Sequence, residues 1–307
     1  MKVKELSFEE RKFIDPLSDF GFKRIFGQEE NKSLLLSFLN GLLPEKHIVD
    51  LQYNQTEFQG LGNHQKSARF DVACTTNDGE RFIVEMQRAK QLYFVDRAIW
   101  YFSMAFTQQK RGECGSRLIP VYSVNILDFI LFDQDSRMLH SAHVRDDEDN
   151  RVLSKVENFY FLELPKFTKS SGELESALDE WLYLLKNTFS LNKVPEDLLE
   201  KYTDYFSIAE RANLTEDEWI SYKEAMMDQV DYNNCLECKR QEGLQEGREE
   251  GREEGREEGR AEGREEGASM KMIEHLKNMQ DAHFSDEQIM LVLNVTAEEL
   301  LELRKNI

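Results

Sequence analysis

The chain has 307 residues, a formal net charge of −20 at neutral pH and four cysteines. This length suffices for one large domain or two smaller ones, and four cysteines are too few for a disulfide framework in a chain of this size. No hydrophobic run approaches the ~18 residues that span a membrane. The first residues, MKVKELSFEERKF, are charged and lack the apolar stretch of a signal peptide. We therefore expect a cytoplasmic protein with no membrane partner.

The negative charge is unevenly distributed along the chain. Residues 1–168 carry 22 basic and 25 acidic side chains, whereas residues 169–307 carry 17 and 34. The first part is nearly neutral and can present a local basic surface to phosphates, so the overall charge does not exclude DNA as a partner. No glycine-rich phosphate loop is present, and no nucleotide cofactor is expected.

The first predicted element is a helix over residues 28–43, because its apolar residues recur on one helical face. A strand near residues 48–59 follows. Just before the helix, the segment DFGFKRIF contains Asp19, Phe22 and Phe26. One interpretation is that Asp19 caps a helical turn while the two phenylalanines, four residues apart, pack into the core.

Residues 69–88, RFDVACTTNDGERFIVEMQR, predict two strands around a turn. Asp71 lies on the first strand, and Glu85 and Gln87 lie on the second. The neighbouring residues are apolar, and burying two carboxylates is costly unless something pairs with them. A divalent cation bound between them is the simplest explanation. The alternative is a solvated edge hairpin whose acidic residues are incidental.

The length of the turn decides whether the two carboxylates meet. A two-residue loop, 78–79, would place Val72 opposite Glu85 and turn Asp71 away. A three-residue loop, 77–79, with Gly79 in the left-handed region, pairs Thr76 with Glu80 and brings Asp71 opposite Glu85. Directly opposed β-carbons lie roughly 5 Å apart, which suits one cation such as Mg²⁺. We predict the three-residue loop.

The remaining pattern indicates an α/β first half and an all-helical second half. A helix is predicted over 91–110, with Arg97 near its middle, where the guanidinium needs a carboxylate or a phosphate as partner. A core strand lies in RLIPVYSVNILDFILF, and strand-like runs follow near 137–145 and 157–164. Helical patterns then occupy 173–189, 195–212 and 215–230. The first half therefore reads αβββαβ with extra strands.

Four blocks of the sequence resemble the PD-(D/E)XK nuclease family transposases, also called recombination-promoting nucleases. They are FIDPLSDFGFKRIFGQEENKSLLLSFLNGLL, RFDVACTTNDGERFIVEMQ, FVDRAIWYFSMAFTQQ and IPVYSVNILDFILF, which together span roughly residues 13–165. The resemblance implies a restriction-endonuclease-like core, with a mixed central sheet flanked by helices. It also implies cleavage of DNA phosphodiester bonds with Mg²⁺, or with Mn²⁺ in its place, in recombination or in mobile elements.

The resemblance also implies roles for individual residues. Asp71 and Glu85 would be the metal-binding, catalytic carboxylates, and Gln87 would stand where many of these nucleases place a lysine. Further candidates are the backbone carbonyl of Met86 and the side chain of Asp19 as metal ligands, and Lys23 and Arg97 as contacts to the nucleic acid. A neutral amide is a weaker electrostatic group than an ammonium. We therefore expect slow cleavage, with a catalytically weak DNA-binding or protein-interaction protein as the alternative.

Glycine occupies every fourth position from residue 243 to residue 267. Each glycine opposes a helix by about 0.8–1.0 kcal/mol relative to alanine. Each Glu–Arg pair three residues apart contributes only about 0.2–0.5 kcal/mol. We expect a partly helical spacer that stiffens only when paired with another copy, which allows a homodimer.

The last residues, FSDEQIMLVLNVTAEELLELRKNI, predict two short helices joined at Asn294 and Val295 and capped by Ser285 and Thr296. This helix-turn-helix-like module is acidic, so pairing with a protein partner is favoured over binding in the major groove. The predicted organisation is a nuclease-like domain (1–168), a helical extension (169–235), the repeat spacer (236–268) and the C-terminal module (269–307).

Overall fold

The computed structural model describes residues 8–58, 68–107, 109 and 118–305. The chain divides into two compact units, Met1–Gln229 and Val230–Ile307. Among the described residues, no helix combines the length and the apolar character needed to cross a lipid bilayer.

The described part of the first unit contains eight β-strands: β1 (Leu51–Tyr53), β2 (Glu57–Phe58), β3 (Ala68–Arg69), β4 (Val72–Thr76), β5 (Arg81–Gln87), β6 (Val121–Leu127), β7 (Leu139–Ala142) and β8 (Glu157–Glu163). Six of them form one mixed sheet in the order β1-β4-β5-β6-β8-β7, and β2 pairs with β3. The central strands β5, β6 and β8 are parallel, while β1, β4 and β7 join antiparallel.

The described helices are α1 (Asp19–Phe26), α2 (Lys32–Leu42), α3 (Phe94–Thr107), α4 (Ala177–Asn187), α5 (Glu196–Lys201), α6 (Thr203–Ala209), α7 (Glu216–Asp281), α8 (Asp286–Leu293) and α9 (Ala297–Lys305). The predicted αβββαβ order with a mixed, helix-flanked sheet and an all-helical second half is confirmed. The predicted single strand near 48–59 consists of β1 and β2.

The two faces of the sheet are covered by different helices, because successive side chains along a strand point to opposite faces. Phe82, Val84 and Met86 of β5 join the main core with residues of α1, α2 and α4. Ile83, on the other face, packs with Phe102 of α3. Helix α3 therefore covers the face that also carries the odd-numbered positions 85 and 87.

The predicted helical extension packs into the same core as the sheet. Trp181 of α4 is fully buried, with its ring centroid 5.5 Å from that of Phe26. Its indole Nε1 donates to Ser37 Oγ at 3.1 Å. Residues 1–168 and most of 169–235 thus lie in one compact unit.

The glycine repeat is wholly helical, so the prediction of a partly helical spacer is wrong. Helix α7 runs without interruption from Glu216 to Asp281. A Cβ added at any of the seven repeat glycines would meet nothing within 4 Å, so no described neighbour requires glycine there. Glycine propensity and Glu–Arg pairs do not predict this outcome, but a helix that continues from a flanking segment avoids the cost of nucleation.

The two predicted C-terminal helices and their caps are confirmed. Ser285 caps α8, and Asn294 ends it in the left-handed conformation at φ 52°. Thr296 and Glu299 exchange hydrogen bonds at the start of α9. Leu276, Ile289 and Leu300 form the small core of this unit.

Candidate active site

The turn between β4 and β5 has three residues, which confirms the predicted register. The Thr76 N–H donates to the Glu80 carbonyl at 2.9 Å, and Gly79 adopts φ 80°. Along the ladder, Val72 pairs with Val84. Continuing this register by one residue sets Asp71 directly opposite Glu85.

Each carboxylate accepts a hydrogen bond from the backbone of the opposite chain segment. The Asp71 N–H donates to Glu85 Oε1 at 3.1 Å, and the Met86 N–H donates to Asp71 Oδ2 at 2.8 Å. Asp71 lies one residue before β4 begins. These two hydrogen bonds, rather than the β4–β5 ladder, therefore hold Asp71 against β5. The reciprocal bonds fix both carboxylates at the sheet.

Burial dominates the electrostatics of this pair. Glu85 is only 4% exposed. Burial and the negative charge of Asp71 raise the pKa of Glu85 well above its ordinary value, although the hydrogen bond from the Asp71 backbone opposes this. Burial also raises the pKa of Asp71, against the hydrogen bond from Met86. Two carboxylates of like charge, Glu85 buried and Asp71 half-buried, therefore face each other without a full complement of positive charge.

The donor set fits a hard divalent cation. Backbone groups alternate in direction along a strand, and the Gln87 carbonyl accepts from the Asp128 N–H next to β6. The Met86 N–H and carbonyl therefore both point away from β6 and toward Asp71, to which the N–H donates. Two carboxylates and one carbonyl supply the oxygen ligands that Mg²⁺ and Mn²⁺ prefer. A cation bound between them would lower both of the raised pKa values.

Asp19 and Lys23 lie within electrostatic reach of the pair. The charge of Asp19 raises the pKa of Asp71, and that of Lys23 lowers it. Lys23 Nζ contacts Asp19 Oδ1 at 2.5 Å. Within the described ranges, no three or more His, Cys, Asp and Glu side chains cluster as a metal site. Asp19 is thus not grouped with the pair as a third ligand, and its outer-shell role stays a prediction.

The alternative role for Asp19 as a helix cap is wrong. Ser18 caps α1, because its Oγ accepts from the Gly21 N–H at 3.0 Å, and Asp19 is the first helical residue. The packing of Phe22 and Phe26 is confirmed, since both are buried with ring centroids 5.1 Å apart.

Arg97 lies in the first turn of α3, not near its middle, because the helix begins at Phe94 rather than near residue 91. Its guanidinium bonds to Gln91 Oε1 and lies 5.6 Å from the ring centroid of Tyr101. The positive charge of Arg97 lowers the pKa of both Asp71 and Glu85. Of the two predicted partners, a carboxylate or a phosphate, the structure brings Arg97 near carboxylates.

Tyr101 is a neighbour of the site to which the sequence assigned no role. Burial and the charge of Glu85 raise its pKa, and its ring meets Phe70 edge-on at 5.4 Å. Its spacing of four residues from Arg97 on a helix was the available signal.

Gln87 ends β5 on the same face as Glu85 and is half-buried. The next residue, Arg88, points to the other side and bonds to the buried Asp15 at 2.5 Å. This bond ties the N-terminal segment to the end of β5 beside Gln87. No motif predicted it, because it joins residues 73 positions apart.

Asn125 of β6 is a second residue that sequence reasoning missed. It is the register partner of Glu85 on the neighbouring parallel strand, and it is 1% exposed. Two polar residues two positions apart in the otherwise apolar run VYSVNIL were the signal.

A family model described as PD-(D/E)XK nuclease family transposase matches residues 16–239. The match extends beyond the roughly 13–165 of the four sequence blocks and includes the helices that share the core. Neither the curated proteins nor the solved structures contain a match to the chain. The family comprises nucleases linked to mobile elements, and its members generally use divalent metals. The fold and this match together show that the chain belongs to the PD-(D/E)XK nuclease family transposases.

Proposed function

We propose that the protein is a DNA endonuclease that hydrolyses phosphodiester bonds with Mg²⁺, or with Mn²⁺ in its place, in recombination or the movement of mobile elements. The observation that carries this proposal is the opposition of the half-buried Asp71 and the buried Glu85, each hydrogen-bonded to the other's chain segment. Membership of this family implies that the substrate is DNA.

In this proposal Asp71, Glu85 and the Met86 carbonyl hold the cation. When bound, the cation polarises a phosphoryl oxygen and lowers the pKa of a water molecule that attacks the phosphorus. The backbone bonds to Asp71 and Glu85 keep the two carboxylates in place before the metal arrives, so little reorganisation is needed.

Gln87 orients the reacting groups through its amide. The amide donates two hydrogen bonds and accepts others, but it carries no charge. It therefore positions a water or a phosphate oxygen without neutralising the negative charge that develops there. This is why we expect slow turnover.

Lys23 and Arg97 are the proposed phosphate contacts, and Asp19 a proposed outer-shell group. The Lys23–Asp19 pair is a surface pair, with side chains 30% and 64% exposed. Such pairs contribute little stability, so Lys23 can exchange Asp19 for a DNA phosphate at low cost. Arg97 is pre-positioned by its contacts with Gln91 and Tyr101.

A second candidate function is DNA binding with little catalysis. The neutral Gln87, where many related nucleases carry lysine, favours it. The two functions differ in whether cleavage depends on the carboxylate pair.

Supercoiled plasmid incubated with Mg²⁺ or Mn²⁺ tests the proposal. Wild type should nick or linearise the plasmid, Asp71→Asn and Glu85→Gln should not, and Asp78→Asn should match wild type. Asp78 is an exposed residue of the same hairpin and serves as the matched control. Binding without cleavage by wild type with either cation would favour the second function, and equal cleavage by all variants would indicate a contaminating nuclease.

We also propose that two copies associate through the glycine repeat of α7. The support is that no described residue packs against the seven repeat glycines, whose missing Cβ atoms leave room for close approach of a second helix. Sedimentation equilibrium should give twice the monomer mass, and a single monomeric species at tens of micromolar would contradict association.

A further inference from the structure

Strand β6 carries two polar residues beside the carboxylate pair. All seven residues of this strand are buried, and Ser123 and Asn125 are each 1% exposed. Asn125 is the register partner of Glu85. Paired residues on parallel strands point to the same face, so Asn125 lies directly beside Glu85 on the face that α3 covers.

The hydrogen bonds of Asn125 fix the orientation of its amide. Nδ2 donates to the Ser123 carbonyl at 3.3 Å, to Ser123 Oγ at 3.1 Å and to the Tyr160 carbonyl at 3.2 Å. The two carbonyls can only accept, so they require the nitrogen rather than the oxygen at that end, and the Ser123 hydroxyl is compatible with it. Tyr160 belongs to β8, on the side of β6 away from Glu85.

The amide oxygen consequently faces the other way. Because Nδ2 is directed back along β6 and toward β8, Oδ1 lies on the side of the amide away from β8, which is the side of β5. Within the part of the chain that the structure describes, Oδ1 accepts no hydrogen bond. The residue as a whole is 1% exposed, so the space that Oδ1 faces is small.

A group that donates one hydrogen bond to Asn125 Oδ1 and another to the Glu85 carboxylate would satisfy both acceptors. Oδ1 of Asn125 and the ionised carboxylate of Glu85, the form that binds a cation, are both acceptors and cannot bond to each other. Water can donate one hydrogen to each oxygen. The waters that a Mg²⁺ ion keeps in its coordination shell are strong donors of this kind.

We propose that Asn125 is a positioning residue whose Oδ1 accepts a hydrogen bond from a water in the shell of the divalent cation held by Asp71 and Glu85. This inference rests on the proposed function. Asn125 does not bind the metal directly. It holds the hydrated cation in one orientation and raises its affinity for the site. The buried amide in a strand that is otherwise apolar is thereby explained.

Calorimetric titration with Mn²⁺ tests this role, with folding checked by circular dichroism. Asn125→Ala should bind Mn²⁺ about 10-fold more weakly than wild type, the lower end of the range for groups that support metal ligands. In plasmid cleavage, the same variant should need more metal for half-maximal rate, with kcat nearly restored at saturating metal.

Asn158→Ala is the matched control. Asn158 is 5% exposed, and its Nδ2 donates to the backbone carbonyls of Val121, Lys155 and Val156. It pairs with Tyr122 and so faces away from Glu85. Its loss should lower stability without changing Mn²⁺ affinity. Equal loss of affinity in both variants would overturn the proposal.

A second variant decides the case in which Asn125→Ala does not fold. Asn125→Asp has nearly the same size and keeps an acceptor beside Glu85. It loses the bonds that Nδ2 donates, but its negative charge attracts the cation, so it should bind Mn²⁺ at least as tightly as wild type. Weaker binding would overturn the proposal, as would unchanged binding in a folded Asn125→Ala. If wild type itself binds no Mn²⁺, the proposed function fails and this inference fails with it. If wild type and Asn125→Ala bind Mn²⁺ equally, only the role of Asn125 is refuted.

Discussion

Asp71 and Glu85 lie opposite each other, with the Asp71 N–H donating to Glu85 Oε1 at 3.1 Å. The Met86 N–H completes the arrangement by donating to Asp71 Oδ2 at 2.8 Å. Both side chains are therefore held by the backbone, which can stabilise an ionised carboxylate but cannot neutralise it. The ionised pair is therefore electrostatically unfavourable, and a bound cation would stabilise it.

The first prediction concerns stability against pH without divalent metal. Folding raises the pKa of Asp71 and Glu85 above their ordinary values of 3.8 and 4.5. Between those values and the raised ones, the folded state binds more protons than the unfolded state. The free energy of unfolding should therefore fall as pH rises through this window.

Glu85→Gln should remove most of this fall and raise the free energy of unfolding at pH 7, by about 1.4 kcal/mol for each unit of the Glu85 shift. Urea titrations in EDTA at several pH values measure it, with Asp78→Asn as an unchanged control. A variant whose stability falls with pH as steeply as that of wild type would contradict the assignment.

The second prediction concerns the turn that sets the register. Gly79 adopts φ 80°, and an added Cβ would meet nothing within 4 Å. Gly79→Ala should therefore cost only backbone strain, about 1–2 kcal/mol, and Gly79→Asn less, because asparagine tolerates this conformation. Thermal unfolding measures both. Metal affinity should stay at the wild-type value, and a large loss of affinity in folded Gly79→Asn would show that the turn does more than set the register.

The third prediction concerns Gln87. Gln87→Leu keeps the approximate size but removes every hydrogen bond, and should lower kcat by about 10²-fold, as for loss of one oriented donor. Gln87→Lys should raise kcat above wild type, because an ammonium also stabilises developing negative charge. Single-turnover cleavage of a labelled duplex measures both. An inactive Gln87→Lys and a fully active Gln87→Leu would together exclude Gln87 from the site.

The fourth prediction concerns DNA binding. Lys23→Ala and Arg97→Ala should each weaken binding and reduce the slope of log affinity against log salt by about 1, as expected for loss of one phosphate contact. Fluorescence anisotropy at several salt concentrations measures this. Lys193→Ala is the control, since that side chain is 86% exposed and has only a 3.8 Å contact with Glu196. An unchanged slope in both test variants would remove them from the interface.

The sequence predicted the part of the site that depends on local backbone geometry. Strand alternation and the left-handed preference of Gly79 were enough to align Asp71 with Glu85, because a hairpin register is set by its own turn. The terminal caps followed from residue types in the same way.

The rest of the site depends on contacts between distant parts of the chain. Asn125 becomes a neighbour of Glu85 only when β5 and β6, which α3 separates in the sequence, pair in parallel. Arg88 contacts Asp15 only after the N-terminal segment has packed against the end of β5. No local pattern encodes such pairings. The helix through the glycine repeat is also not predictable from the repeat alone, because glycine propensity and local ion pairs favour only a partly helical segment.

The most direct test of the central claim is anomalous diffraction from crystals grown with Mn²⁺. A single strong peak within coordination distance of Asp71, Glu85 and the Met86 carbonyl is the predicted result, lost in Glu85→Gln crystals. Strong Mn²⁺ peaks elsewhere on the protein with none between Asp71 and Glu85, in a preparation that cleaves DNA, would contradict it.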